Sequence, residues 1–210
     1  MPSARTLREG ATPKRAAIVA AARELFLSDG FDRTSVDALA ARAGVSKRTV
    51  YDYFGDKVTL LNAVVEAVGR SMVATIRRTL DETLVAVDAA GLEEALVAFA
   101  MRISTEMLGS PEYATLERLA RADSGQLAKL DRYEIENAPE EALAERLGTL
   151  ARAGLLDLAD PRLAADQFIA LTFGVALNRL RSANAAEDPR VGPIIVEGVR
   201  VFLRAYRTGR

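Results

Sequence analysis

At 210 residues the chain can bury a real core, as one extended domain or as two small ones. Half of it is apolar, only 6% is aromatic, and 28 Lys and Arg against 29 Asp and Glu leave a net charge of −1. Cys and His are both absent. That removes disulfides, thiolate chemistry, sulfur metal sites, the usual base of acyl transfer and the commonest metal ligand together, so no cofactor or metal is expected.

Residues 1–11 lack periodicity and read as a flexible N-terminal arm, with Arg5 and Arg8 available to a phosphate backbone. The opening MPSARTLREGATPKR has no apolar stretch of the kind a signal peptide needs. Thr12 as cap and Pro13 at the first helical position open a helix with Ile18, Ala22, Leu25 and Phe26 on one face, ending near Gly30. Val36, Leu39 and Ala40 then repeat with helical spacing, Gly44 interrupts, and Val45, Val50 and Phe54 resume. Gly44 suits a sharp turn because a residue without Cβ reaches φ > 0 cheaply. Ser46 is placed to cap the helix that follows. This pattern predicts a helix-turn-helix over 35–54, inside a head domain of residues 12–58.

Asp56 caps a long helix running to the low eighties, with Val58, Leu61, Val65 and Met72 on its inner stripe. Gly91 separates it from a helix over about 92–108. Ser110 and Pro111 start another, carrying Tyr113, Leu116 and Leu119. Asn137 and Pro139 mark a further start that stops near Gly154, and Asp160–Pro161 and Asp188–Pro189 open the last two helices. The regular part of the final helix is placed after Pro193. The reading is all-α, about nine helices and no strand, with no run of 18 or more apolar residues to cross a membrane. Residues 59–210 form the larger body.

An alanine-rich hairpin with one glycine also occurs in proteins that never touch DNA, so the polar residues must decide. Lys47, Arg48, Thr49 and Tyr51 crowd the start of the second short helix. Arg and Lys pair with guanine edges or phosphates, and Thr and Tyr can bond a phosphate oxygen. Through Lys57 there are ten Lys and Arg against seven acids, a mildly basic head on an acidic body. Asp52 shares that helix, where its charge would face DNA unfavourably.

The segment from Thr12 to about Leu61 resembles the DNA-binding head of the TetR family of transcriptional regulators. The matching features are AAIVAAARELFLSDGFDRTSV, AGVS and TVYDYFGDKVTLL, with Gly30, Phe31, Thr34, Ala43–Ser46, Tyr51, Phe54 and Lys57 at the family's spacing. The run ERLARADSGQLAKLDRYEIENAPEEALAERL is similar to the ligand-binding half of one TetR subgroup. The resemblance implies that Lys47, Arg48 and Thr49 read bases or flanking phosphates. It also implies that Thr34, Tyr51 and Tyr53 bond backbone oxygens, with Ser35 as a further phosphate contact. Lys57 would meet a phosphate at the positive end of the long helix. Tyr53 stands where many relatives have His.

For the body, the resemblance implies a small-molecule pocket whose occupancy alters the long helix and the spacing of two heads. Candidate walls are Phe99, Met107, Tyr113, Tyr133, Phe168 and Phe173, each of a type that is more often plain core. In the last two helices, about 161–182 and 190–207, Leu163, Phe168, Ile169, Leu171, Phe173, Ile194, Ile195, Val199 and Phe202 leave little polar face. Gly174 invites a close neighbour. These helices are read as meeting their copies across a two-fold axis, since a helix-turn-helix reader normally needs two half-sites. The expected protein is a cytoplasmic homodimer that binds a palindromic operator on double-stranded DNA, a repressor released by a small-molecule effector. The alternative is a DNA-bound factor whose body takes another protein. An enzyme is disfavoured, as no Gly-rich phosphate loop or nucleophile elbow is present.

Overall fold

The computed structural model describes residues 11–108, 110, 133–180 and 188–209, and its internal contacts divide the chain into two units at Val68/Gly69. Unit 1 holds α1 (Ala11–Ser28), α2 (Val36–Ala43), α3 (Lys47–Phe54) and the start of α4 (Lys57–Thr83). The division lies deeper in α4 than the expected 58/59 boundary. Leu60, Leu61, Val64, Val65 and Val68 are buried on the near side of it, whereas the core of unit 2 takes its first α4 residue at Ile76.

In unit 1, α1 packs on α2 and α2 on α3, burying Ile18, Ala22, Phe26, Leu39, Ala40, Val50 and Phe54. The turn between α2 and α3 is set by hydrogen bonding. Ser35 caps α2 by accepting from the Ala38 amide at 3.1 Å, and Ser46 caps α3 by accepting from the Thr49 amide at 3.1 Å. Gly44 takes φ +66°, which lets its amide reach Ala41 at 3.2 Å and the Val45 amide reach Ala40 at 3.0 Å. These bonds satisfy the last carbonyls of α2. α1 begins at Ala11, so Pro13 lies inside its first turn, where a missing N–H costs nothing.

Unit 2 holds the rest of α4, then α5 (Leu92–Ile103), which runs on into a π turn at Ser104–Leu108, and α6 (Tyr133–Arg152). It continues with α7, which is Pro161–Ile169, a π turn at Ala170–Gly174 and Val175–Leu180, and ends with α8 (Val191–Tyr206). That makes eight helices among the described residues; the helix expected from Ser110–Pro111 falls outside them. An isolated bridge, Leu156 to Arg207, is the extended pairing found there, and no strand forms among the described residues. The core joins Leu96, Phe99, Leu143, Leu147, Phe168, Ile195 and Phe202. Three rings run in series, Phe99 to Phe168 at 6.1 Å and Phe168 to Phe202 at 5.2 Å edge-on. Each such fully buried side chain contributes about 1.5–3 kcal/mol.

Several helix ends differ from expectation. Pro139 lies inside α6, which already begins at Tyr133. Burial of Ala142, Leu143, Leu147 and Leu150 outweighs the one backbone bond that the ring removes. α8 likewise starts before Pro193, at Val191, so that proline occupies the first turn, where no intrahelical donor is needed. Asp160 caps α7 as expected, accepting from Arg162 and Leu163, with Pro161 at the first helical position.

The close approach expected at Gly174 occurs instead at Gly198. A Cβ on Gly198 would stand 2.3 Å from the Leu171 carbonyl oxygen, whereas one on Gly174 would meet nothing nearer than 3.6 Å. By length and composition alone α4 could pass for a membrane span, but 44% of its most apolar window is buried inside the protein. Its apolar stripe serves the two cores.

Candidate nucleic-acid interface

The polar residues of α2 and α3 cluster because two serine caps and one glycine turn fix both helices. Within that frame α3 turns Val50 and Phe54 inward, 3% and 5% exposed, and leaves its start in solvent. Lys47 donates to the Asp37 carboxylate of α2 at 2.9 Å, a bond that raises its pKa above the ordinary lysine value. Arg48 is 90% exposed and pairs loosely with Asp52 at 3.8 Å, one turn further along the helix. The Thr49 hydroxyl and the capping Ser46 hydroxyl are hydrogen-bonded at 2.8 Å. Tyr51 is exposed, and Tyr53 is half-buried with its ring against Phe54. Ser35 is exposed at the mouth of α2.

Lys57 begins α4 with its ammonium 4.4 Å from the centre of the Phe31 ring, donating to the Asp32 carbonyl at 3.4 Å. Directly before it, Asp56 accepts from the Thr59 amide at 2.6 Å, which holds its carboxyl below the usual carboxylate range. The helix terminus expected to meet a phosphate therefore already carries a carboxylate, and Lys57 is the cation beside it.

Thr34 departs from the expected set. It is 3% exposed, and its hydroxyl donates toward the Gly30 carbonyl at 2.8 Å and lies 3.2 Å from that of Leu25. It closes the end of α1 and presents no surface to a phosphate. Two acids act as partners to these cations. Asp37 lies across the turn from Lys47, a contact that no local spacing in the sequence reveals. Asp52, expected to face DNA unfavourably, accompanies Arg48 on the exposed side.

In unit 2 the expected ligand walls Phe99, Phe168 and Phe173 are core residues, 2%, 0% and 7% exposed. Phe99 and Phe168 pack ring against ring. Tyr113 and the side chains of Met107 and Tyr133 lie outside the described residues. An open groove of about 360 Å³ between α4 and α6 is lined by Arg77, Asp81, Glu145, Arg146 and Thr149. Its charges are paired, Arg77 with Glu145 at 3.3 Å and Arg146 with Asp81.

Two short helices joined by an αL glycine, with the second cationic and exposed at its start, define a helix-turn-helix transcriptional regulator. Residues 18–64 match the family described as bacterial regulatory proteins, tetR family, and residues 94–208 match the C-terminal domain of AefR-like transcriptional repressors. The chain belongs to the TetR family. It is similar to a TetR-family regulator from Mesorhizobium loti, at TM-score 0.85 and 27% identity, covering 97% of this chain and all of that one. The flavonoid-responsive regulator FrrA is 32% identical at TM-score 0.68, over 94% of this chain and 98% of its own. The transcriptional activator FasR of Mycolicibacterium smegmatis is 34% identical over 70 residues, 33% of this chain. The match spans only 32% of the length of that curated relative. Family and fold are those of DNA-binding regulators rather than enzymes.

Proposed function

We propose that the protein is a cytoplasmic repressor that binds a palindromic operator as a homodimer and is released by a small organic molecule. One observation carries the DNA-reading half of this: α3 is capped by Ser46, anchored through Val50 and Phe54, and leaves Arg48 90% exposed beside Lys47, Thr49 and Tyr51. One such helix makes few base contacts, so a symmetric pair on two half-sites is needed for affinity and specificity. Lys57, Tyr51, Tyr53 and Ser35 hold the phosphates, while Lys47, Arg48 and Thr49 address bases.

Pairing of two copies is supported by the last two helices. Leu163 of α7 and Val201 of α8 are 50% and 39% exposed, and Ala170 and Gly174 of α7 are exposed as well. Small and apolar residues on outer faces suit a helix-on-helix interface. Release by a small molecule is supported by the responsiveness named for FrrA, which is similar over most of the chain, and repression by the AefR-like C-terminal match.

Selection from a random duplex pool with the full-length protein, followed by anisotropy titration at two salt concentrations, tests the reading. Enrichment of a palindrome bound by one dimer is the expected result. Weak, salt-sensitive binding with no enriched sequence overturns it.

A further inference from the structure

The direction in which α3 faces outward follows from what it buries. Val50 and Phe54, one turn apart, define its inner line at 3% and 5% exposure. At about 100° per residue, the residue opposite that line is Asp52, with Arg48 and Thr49 on either side of it. Both side chains stand in solvent, Asp52 at 65% and Arg48 at 90% exposure. Lys47 is drawn aside toward α2 by its 2.9 Å bond to Asp37, and Tyr53 leans on Phe54. An acid therefore shares the outward face of the recognition helix with Arg48, and Lys47 is turned away from it.

A carboxylate opposes binding wherever it meets phosphates. Beyond its loose pairing with Arg48, it gains a use where it meets base edges. In the major groove cytosine presents the N4 amino donor, guanine presents the O6 and N7 acceptors, and thymine presents the O4 acceptor. Adenine sets the N7 acceptor beside its N6 donor. A fixed carboxylate thus accepts from cytosine and is repelled by guanine and thymine at the same place. Arg48, 3.8 Å away on the preceding turn, has the fork that pairs with guanine O6 and N7.

We propose that Asp52 is a specificity-determining residue that accepts a hydrogen bond from the N4 amino group of a cytosine in each half-site, while Arg48 reads a neighbouring guanine. The assignment rests on the DNA-reading function proposed above. It predicts that the contacted core of each half-site contains C and G, and that Asp52 rejects competing bases as well as choosing one.

The test repeats the duplex selection with wild type, Asp52→Asn and Asp52→Ala. Anisotropy then follows on the wild-type site and on all single-base variants of one half-site, made symmetrically. Asp52→Ala is expected to lose preference at one symmetric pair of positions by about tenfold or more, keeping the others. Asp52→Asn is expected to change the favoured base there from C to A, since an amide pairs with adenine N6 and N7. Both variants should melt like wild type, the side chain being solvent-exposed.

Unchanged preference at every position, with only a uniform gain in affinity from the lost negative charge, would overturn the assignment. Loss confined to the guanine read by Arg48 would overturn it too, leaving Asp52 to orient the guanidinium. Should wild type itself enrich no sequence, the regulator reading fails and takes this assignment with it.

Discussion

Gly198 of α8 lies against the Leu171 carbonyl of α7 so closely that a Cβ would stand 2.3 Å from the oxygen and 2.8 Å from the carbonyl carbon. The Ala170–Gly174 π turn brings that backbone forward, and the buried Thr172 hydroxyl returns to Phe168 at 2.7 Å. Backbone cannot yield as a flexible side chain can. Gly198→Ala is therefore expected to destabilise unit 2 by about 1–3 kcal/mol, read as a lower urea midpoint at fixed protein concentration. A midpoint equal to wild type would show that α7 and α8 can slide apart freely.

Gly44 is required for a different reason. Nothing lies within 4 Å of its missing Cβ, but its φ is +66°. Gly44→Ala should cost about 1–2 kcal/mol of stability through backbone strain. Gly44→Asn should cost less, because Asn visits this region more readily. Thermal melts by circular dichroism order the three proteins, and equal melting points for Ala and Gly would contradict the strain argument.

Thr34 and Lys57 should separate cleanly. Thr34→Val removes a hydroxyl that serves the Gly30 carbonyl, so about 1 kcal/mol of stability is lost and the salt dependence of DNA binding stays as it was. Lys57→Ala should lower the slope of log K against log salt by about one and weaken binding to all sequences alike. A reduced slope for Thr34→Val would return it to the phosphate contacts.

Two carboxyls should act on stability with opposite signs as pH changes. Asp188 is held at about 2 by its bonds to Arg190, below its ordinary 3.8. Its contribution is present above the ordinary value and is lost as pH falls through about 2, so Asp188→Asn should flatten the acid limb of stability there. Glu140 is pushed upward by burial, and no partner among the described residues reaches its Oε2. Its ionised form burdens the fold near neutrality, and the burden lifts as pH falls through the raised value. Glu140→Gln should stabilise the protein at pH 7, with the gain shrinking in acid. Urea midpoints across pH 2–7 check both signs.

The proposed pairing of copies is open to a direct measurement. Leu163→Glu combined with Val201→Glu places charge on the two exposed apolar positions of α7 and α8. Light scattering should report a monomer at micromolar concentration with helicity retained, and affinity for the operator should fall by orders of magnitude. A dimer that survives the double change would place the interface on another surface.

Much of the head was legible because its signals are local. Ser46 and Asp56 accept from amides three residues on, and the Gly44 amide donates to the Ala41 carbonyl three residues back, so their spacing alone marks the helix ends, and Val50 and Phe54 mark the inner line. Thr34 misled because its type and position suit a phosphate, while its partner carbonyls lie four and nine residues back around a bend. Lys47 and Asp37 pair only after the turn has folded. In the body, local propensity makes prolines 139 and 193 look like boundaries, yet each lies within a helix, because it is opposed by burial that no window of sequence contains.

By itself the sequence determined the all-α class, the helix-turn-helix, its caps and the family, because periodicity, caps and glycine turns are short-range properties. Only tertiary structure decided which glycine admits a neighbouring helix, whether Thr34 faces solvent, and that Phe99 and Phe168 fill a core. Those outcomes depend on atoms distant in the chain brought within a few ångströms, where steric exclusion and desolvation act and sequence spacing carries no information.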